Sequence, residues 1–489
     1  MGPGLAIGIV LGYFGILLLV SHFTSKDSSS NTFFIANRRS HWFLVSFGMI
    51  GAALSGISFI SVPGEAAVTQ FAYFQMVIGY VIGIALIAFV LLPLYYRLNV
   101  VSIYTFLDQR FGFWAYKTGA ASFFIAQSVT SAFKLYLMAT VLQISFFDAY
   151  RIPFQATVLI TILLIWLYTF RSGIKTIVYT DILQTVFLLL SVAISIYVIG
   201  RELNLSAAGH WRNLVDCSRS TMFHWDWSSK QNFFKYIFTG AFMTVVTNGL
   251  DQSMMQKHLT CKTLRESQKN MFWFSVMLLF ANLFILYLGL LLVQFAQFQG
   301  IPIPDNKDDL YPLLAIHHLN FAAGLFFLIG ASAAAYSSSD SALTALTTSF
   351  CIDFLGFSKR DQDNIRKRNM IHLGVALYLY VLILLFHQVK NESIISAFIR
   401  ASGYTYGPLL GLYILGVYTN VRIKGFAVPC IAVLSPAVSY LVYLNSEKWL
   451  WGYQFGYEIL LLNAALTILG LVAFREKKSH HDDDIPNPE

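Results

Sequence analysis

Long apolar segments alternate with short polar connections along the whole chain. A helix needs about 20 mostly apolar residues to cross roughly 30 Å of hydrocarbon, and segments of this length recur too often for a soluble protein. The pattern therefore predicts an all-α polytopic membrane protein with about 13 spanning helices. The predicted spans are 4–22, 42–63, 73–96, 119–147, 153–170, 178–200, 233–253, 270–297, 320–354, 370–388, 400–418, 424–444 and 456–474.

Two of these spans are interrupted by small and polar residues. Segment 42–63 carries Gly and Ser in its middle and ends at Pro63, and segment 233–253 carries Gly, Thr and Asn. They are the second and the seventh span, so they hold corresponding positions in two halves. Such a pair indicates a transporter site built on broken helices, where freed carbonyls can hold a cation. Close helix packing is the competing explanation, and we prefer it for Gly48 or Gly83 taken alone.

A cluster of hydroxyl groups and one carboxylate lies inside span 320–354. It reads SSSDS at 337–341 and is flanked by apolar residues on both sides. Such groups are costly in hydrocarbon unless they face partners or a cavity. Oxygen ligands are also what a small hard cation requires in place of water. The cluster therefore predicts an ion site in a membrane transporter.

Composition and charge agree with this interpretation. Of 489 residues, 56% are hydrophobic and only 12% are charged. Lysine and arginine concentrate in alternate connections, with 22 on one side of the membrane and 8 on the other. By the positive-inside rule this predicts an outer N-terminus and a cytoplasmic C-terminus in the plasma (inner) membrane. The net charge of +8 follows from the same bias, so it implies no nucleic-acid partner.

The connections between the spans are too short to hold a soluble domain. We therefore expect residues 1–474 to form a single transmembrane transporter domain and residues 475–489 to form a short disordered cytoplasmic tail. Four cysteines show no CxxC spacing, and only Cys217 falls in a predicted outer connection, so we expect no disulfide. The lipid bilayer is the expected surrounding, and the sequence indicates no obligatory protein partner.

Four stretches of the chain resemble the sodium/solute symporter family, which includes sodium-coupled sugar, proline, pantothenate and sialic acid carriers. Their order and spacing fit over nearly the whole chain. The resemblance implies the leucine-transporter-like fold, a 5+5 inverted repeat with broken helices. Its core would cover about 42–418, after one extra helix at 4–22 and before two extra helices within 424–474. The four stretches are GAALSGISF at 51–59, YTDILQ at 179–184, GLDQSMMQK at 249–257 and SSSDSAL at 337–343.

The resemblance also implies a sodium site between core helix 1 and core helix 8, which correspond to spans 42–63 and 320–354. Neutral oxygens suit Na⁺ because they replace part of its hydration without the carboxylate density that would hold Ca²⁺ tightly. Relatives often carry alanine at the position of Gly51, and a residue that binds the ion through its backbone carbonyl would tolerate that change. The implied ligands are the carbonyl oxygens of Gly51, Leu54 and Ala334 and the hydroxyls of Ser337 and Ser338.

A possible second sodium site is a further implication of the resemblance. Some members of the family use an aspartate equivalent to Asp181 together with serines of core helix 8, which here are Ser337 and Ser341. Asp340 replaces a serine of the sialic acid carriers, and it could strengthen the second site or abolish it by pairing elsewhere. The alternative for Asp181 is a helix residue close to the lipid headgroups.

Solute contacts are implied on core helices 1, 2, 6 and 10, as well as on core helix 3. The matching side chains are mostly hydroxyls with one amide, which suit a polyhydroxylated solute. The polar residues of segment 251–257 are expected instead to tie the inner end of core helix 6 to its loop. The implied solute contacts are Ser55, Ser58, Tyr80, Thr244, Thr247, Asn248 and Tyr404, with Tyr406 as a further aromatic candidate.

Lys134 lies in the middle of span 119–147, and a lysine at this depth is by default a functional hypothesis. In sialic acid carriers an arginine on this helix faces the substrate carboxylate, so Lys134 facing the solute would imply an acidic solute. The alternative is a structural ion pair with Asp251 or Asp340. The sequence leaves the two interpretations open.

The function we predict is sodium-coupled symport by alternating access, importing a small polar solute with a sugar, polyol or sugar acid favoured. Na⁺ is the co-transported ion. The closest alternative is a proton-coupled permease of the same fold, in which Asp181, Asp340 or Lys134 would titrate. A polytopic membrane enzyme is disfavoured because all eleven histidines fall in connections or at the ends of spans.

Overall fold

The computed structural model describes residues 3–24, 40–98, 102–169, 174–216, 221–227, 229–357, 365–388 and 394–476. This part of the chain is almost entirely helical, with two isolated β-bridges and no β-sheet. The predicted all-α class is therefore confirmed. Cys217 and nearly all of the predicted tail 475–489 lie outside the described residues.

All the predicted spans coincide with helix. By length and composition, seven helices of the described part can cross a membrane, and one bent pair makes an eighth if it is counted as a single span. The total of 13 spans stays a prediction. In chain order the α-helices are α1 (Pro3–Thr24), α2 (Trp42–Ala53), α3 (Gly56–Thr69), α4 (Ala72–Leu86), α5 (Leu92–Leu98), α6 (Thr105–Phe111), α7 (Phe113–Leu142), α8 (Phe154–Thr169), α9 (Ile174–Glu202), α10 (Ala207–Asp216), α11 (Phe233–Thr244), α12 (Gln252–His258), α13 (Leu264–Phe298), α14 (Leu310–Leu313), α15 (Phe321–Ser349), α16 (Ile365–His387), α17 (Ile394–Tyr418), α18 (Ala427–Trp449) and α19 (Ile459–Ala473).

The first predicted break lies between α2 and α3, whose axes differ by 59°. The amide of Leu54 donates to Ile50 O at 2.7 Å, and the next backbone bond along the chain runs from Phe59 N to Ser55 O at 3.0 Å. The last carbonyls of a helix have no partner inside it. The end of α2 therefore presents carbonyl oxygens at membrane depth, as a site on a broken helix requires.

The second predicted break separates α11 from α12. Helix α11 runs into a π-helical turn, and Asp251 then caps α12 by accepting from two backbone amides of its first turn at 2.8 and 3.3 Å. The freed carbonyls of Gly249 and Leu250 accept hydrogen bonds from Tyr95 and Tyr104 at 3.1 and 2.9 Å. These hydroxyls satisfy backbone groups that the interruption removes from the helical ladder.

Helix α9 packs against both α2 and α15, so it contacts both sides of the predicted sodium site. The extra helix α1 covers the outer side of α15, where the rings of Phe14 and Tyr336 lie 4.7 Å apart, edge to face. This arrangement buries the whole hydroxyl cluster of α15 inside the protein.

Two isolated glycines serve helix packing, as predicted. A Cβ atom at Gly83 would lie 2.3 Å from the carbonyl oxygen of Ala241, where α4 crosses α11. A Cβ atom at Gly48 would lie 3.2 Å from Cβ of Asp181. Small residues let these backbones approach closely.

Large apolar side chains cover much of the outer surface. Phe89 is 74% exposed, Val433 73% and Leu469 66%. Such an extensive apolar exterior suits hydrocarbon rather than water as the surrounding solvent.

Candidate sodium and solute site

A cavity of about 110 Å³ opens at the break between α2 and α3. It is bounded by both broken helices and by α4, α7, α15 and α17, so it lies at the centre of the helix bundle. Seven of the eight predicted solute contacts line it. These are Ser55, Ser58, Tyr80, Lys134, Thr244, Thr247 and Asn248.

The predicted first sodium site lies beside this cavity. Leu54 and Ser338 line the cavity wall. The backbones of α3 and α15 come close together here, since a Cβ atom at Gly56 would lie 3.7 Å from Cα of Ala335. Gly51 and Ala334 are buried behind that wall. The structure thus brings the carbonyl end of α2 against the hydroxyl face of α15, and the ligand roles stay a prediction.

The two serines assigned to this site are held differently. Ser337 Oγ donates to Asp181 Oδ1 at 2.6 Å, which leaves the lone pairs of that hydroxyl free for a cation. Ser338 Oγ makes only long bonds to the carbonyls of Ala334 and Ala335, at 3.4 and 3.3 Å. A hydroxyl held this weakly can turn towards an ion at small cost.

Helix α9 also fixes the backbone of α2 at this point. Thr185 Oγ1 accepts from Gly51 N at 2.9 Å and donates to Asp181 O at 2.8 Å. A Cβ atom at residue 51 would lie 2.5 Å from Thr185 Oγ1 and 3.3 Å from its backbone nitrogen. An alanine at this position would therefore require Thr185 or α9 to shift, a restriction that the ligand argument from the sequence did not include.

Asp181, the centre of the predicted second sodium site, forms a buried ion pair. Its Oδ2 lies 2.6 Å from Lys257 Nζ, and the two side chains are 1% and 2% exposed. Asp181 is therefore not a headgroup residue, which was the alternative interpretation. Lys257 was expected to tie α12 to its loop, and it was counted among the cytoplasmic basic residues. The structure instead buries Lys257 inside the protein. The number of basic residues assigned to the cytoplasmic side therefore falls from 22 by one.

The other two residues of the predicted second site contact each other. Ser341 Oγ donates to Asp340 Oδ1 at 3.0 Å and lies 3.3 Å from Ser337 O. Asp340 is fully buried and also accepts from the Ser341 backbone amide. Ser341 therefore supplies two of the hydrogen bonds that Asp340 accepts.

Lys134 lines the cavity, with Nζ 5.9 Å from the centre of the Phe398 ring. The ion pairs within 4.0 Å in the described part of the chain are Lys257–Asp181 and Lys307–Glu65. The structural alternative, an ion pair of Lys134 with Asp251 or Asp340, is therefore not formed. The ammonium group thus contacts no carboxylate within 4.0 Å among the described residues, although Asp251 of the same cavity interacts with it electrostatically over a longer distance.

Tyr404 does not line the cavity, and this predicted solute contact is wrong. Its ring packs 6.0 Å from that of Tyr440 on α18. Residues two apart on a helix point in very different directions, since each step turns the chain about 100°. The other candidate, Tyr406, does line the cavity, and its hydroxyl donates to Asp251 Oδ2 at 3.0 Å.

Several cavity residues were not singled out from the sequence. Gln127 and Thr130 share a helix face with Lys134, at seven and four residues before it. That spacing was a usable signal, because such positions are neighbours on one side of a helix. Asp251 also lines the cavity, whereas the sequence interpretation had assigned it to the inner loop.

Residues 33–424 match the sodium:solute symporter family. The sodium/sialic acid symporter NanT of Aliivibrio fischeri is 25% identical over 431 residues, which cover 84% of this chain and 82% of that protein. The sodium/sialic acid symporter SiaT of Proteus mirabilis is 23% identical, with 88% of each chain covered. The human sodium/iodide cotransporter is 23% identical over 83% of this chain and 65% of its own length.

Solved structures resemble the whole fold. A Na⁺-coupled sialic acid symporter, in a substrate-bound outward-open state, gives a TM-score of 0.79 at 17% identity and covers 96% of this chain and 97% of that one. A nucleobase-cation-symport-1 family transporter in a closed conformation gives 0.57 at 13% identity and covers 90% and 93%. These likenesses confirm the predicted leucine-transporter-like fold.

Proposed function

The chain belongs to the sodium:solute symporter family, and we propose that it imports a small organic acid, with a sugar acid favoured, by alternating access. It is an integral membrane transporter and not an enzyme, and its co-transported ion is Na⁺. What we propose beyond the family assignment is that the solute is an acid. Lys134 is the observation that carries it.

An unpaired ammonium group in the middle of a membrane protein is costly unless something neutralises it. Lys134 faces the cavity and has no carboxylate within 4.0 Å among the described residues. A carboxylate on the solute would provide the missing charge and a charge-assisted hydrogen bond. Asp251 lines the same cavity, but its carboxylate accepts from Ser253 and Tyr406. A neutral sugar or polyol would therefore leave the ammonium group without a contacting carboxylate, so we favour a sugar acid over them.

The rest of the cavity supports a solute that also carries hydroxyl groups. Oδ1 of Asn248 is buried and meets no donor in the described part of the chain. Thr247 Oγ1 and Tyr80 OH lie on the same cavity wall. These groups can exchange hydrogen bonds with solute hydroxyls, as small-molecule sites with a few convergent polar groups do. Two of the relatives are named as symporters of sialic acid, which is a sugar acid.

Sodium would enter from outside and bridge the carbonyl end of α2 to the hydroxyls of Ser337 and Ser338 on α15. That contact would stabilise the outward-open state, and solute binding would then favour closure. The N-terminus would be outside and the C-terminus in the cytoplasm. Because the coupling is thermodynamic, sodium and solute must raise each other's affinity by the same factor.

The test is thermal unfolding of the purified protein with sugars, polyols, sialic acids, amino acids and carboxylates, each in NaCl and in choline chloride. Acids that raise the unfolding temperature only in sodium would support the proposal. Stabilisation by neutral sugars alone would contradict the role of Lys134. Equal stabilisation in both salts would contradict sodium coupling and favour the proton-coupled permease.

Two variants sharpen this test. Lys134→Met should abolish the shift caused by the acid and leave that caused by sodium alone. Lys235→Met is the control, because Lys235 is a buried lysine of α11 that does not line the cavity and contacts Gln454 O and the Tyr453 ring instead. Loss of the acid's shift in both variants would point to general destabilisation rather than to a solute contact.

A further inference from the structure

We propose that the ammonium group of Lys257 stands in the place of a second sodium ion beside Asp181, so that the transporter binds one sodium ion per chain. This inference rests on the proposed function, since it specifies the number of ions that drive it. Its starting observation is the contact of 2.6 Å between Lys257 Nζ and Asp181 Oδ2.

The position of this ammonium group is fixed from within the protein. Lys257 lies on α12, a short helix between the broken segment and α13, and its whole side chain is buried. It reaches α9, where Asp181 is buried as well. Neither partner is accessible to water, so the pair is not an adaptable surface contact.

Both carboxylate oxygens of Asp181, which a second sodium ion would need, are already engaged. Oδ1 of Asp181 accepts from Ser337 Oγ at 2.6 Å, and Oδ2 contacts Lys257. Ser341 Oγ is directed to Asp340 Oδ1 at 3.0 Å. The hydroxyls thus act as donors to carboxylates, and the lysine provides the positive charge that balances Asp181.

Electrostatics then disfavours a second cation at this position. Asp181 is a buried carboxylate whose charge the Lys257 ammonium group already balances. A sodium ion that contacted Asp181 would also lie close to the Lys257 ammonium group, and the two like charges would repel each other strongly inside the protein. The same pair keeps Ser337 oriented as a donor to Asp181, with its lone pairs available to the first site.

The experiment counts sodium ions bound to the purified full-length chain, with radioactive sodium as the only ligand. The wild type should saturate at one ion per chain with a Hill coefficient of one. Lys257→Met leaves Asp181 with uncompensated charge, so it should saturate at two ions per chain. Asp181→Asn combined with Lys257→Met removes both charges and should return the count to one. Lys235→Met, the matched loss of a buried lysine elsewhere, should stay at one.

Each outcome decides the inference. Two ions on the wild type would overturn it while leaving sodium coupling intact. One ion on both the wild type and a folded Lys257→Met variant would overturn it too, because the lysine would then not occupy a cation position. A wild type that binds no sodium would overturn the proposed function and this inference with it. If Lys257→Met does not fold, the count on the wild type still tests the inference, because two ions bound there would overturn it.

Discussion

The sodium side and the cavity side of the α2–α3 break are built on opposite principles. On the sodium side Asp181, Lys257, Ser337 and Thr185 all contact one another or the backbone at 2.6–2.9 Å. On the cavity side Lys134 has no ion pair among the described residues, and Asn248 Oδ1 meets no donor there. Groups that contact one another fix the geometry of the sodium side, whereas the polar groups of the cavity side are available to bind a solute.

Two lysines express this difference most clearly. Both lie in helices at membrane depth, yet Lys257 is bound to a carboxylate and Lys134 faces a cavity. Residue type and depth therefore do not decide a role; the partner does. Changes on the sodium side should reduce the free energy of unfolding, and changes on the cavity side should reduce solute affinity instead.

The largest effect should come from Lys257→Met. Removing one partner of a buried ion pair costs about 3–5 kcal/mol, because the remaining charge is left uncompensated. Lys134→Met should leave the stability without solute almost unchanged, since it removes an ammonium group that contacts no carboxylate within 4.0 Å in the described part of the chain. Thermal unfolding in the absence of sodium and solute measures both. Equal losses of unfolding free energy in the two variants would contradict the proposed difference between Lys257 and Lys134.

A smaller loss is expected for Gly51→Ala. The added methyl group would lie 2.5 Å from Thr185 Oγ1, so α2 and α9 must move apart. Overpacking of this kind typically costs about 1–3 kcal/mol. Gly12→Ala is the control, because a Cβ atom there meets nothing within 4 Å. Thermal unfolding should show a lower midpoint for Gly51→Ala only, and a normal midpoint would mean that the α2–α9 contact is loose.

The sequence was sufficient for features that follow from local pattern. The apolar spans, the two interrupted helices and the hydroxyl cluster of α15 all follow from composition and periodicity. Which face of a helix a residue occupies depends on packing, and there the sequence was weaker. Tyr404 was preferred to Tyr406 from the sequence, but in the structure Tyr404 packs against Tyr440 of α18 and Tyr406 lines the cavity.

Long-range pairing was the least predictable feature. Lys257 and Asp181 are 76 residues apart, and nothing in either segment names the other as its partner. Lys257 falls in the connection that follows the predicted span 233–253, so it was interpreted as a topology signal. The break at Asp251 starts a short new helix, and this places the lysine inside the bundle rather than at its surface.

A comparison of Ser338→Ala with Ser339→Ala tests whether Ser338 is a sodium ligand. Ser338 Oγ makes only bonds of 3.3 and 3.4 Å, whereas Ser339 Oγ is held by Ala335 O at 2.6 Å. Loss of one sodium ligand should weaken sodium affinity about tenfold, or about 1.4 kcal/mol. Ser339→Ala should change it little. Sodium titrations followed by thermal unfolding give both affinities, and equal effects would contradict the assigned face of α15.

The smallest difference is expected between Tyr406→Phe and Tyr404→Phe. The Tyr406 hydroxyl donates to Asp251 Oδ2 at 3.0 Å at the cavity wall, and removing a hydrogen bond of this kind costs about 1 kcal/mol. The Tyr404 hydroxyl is buried and meets no partner among the described residues, so its removal should be neutral. Isothermal titration of sodium-loaded protein with an acid identified in the panel measures the affinities. A loss of affinity for the acid in Tyr404→Phe alone would mean that the face of α17 that carries Tyr404 contacts the solute. The cavity described above would then not be the whole solute site.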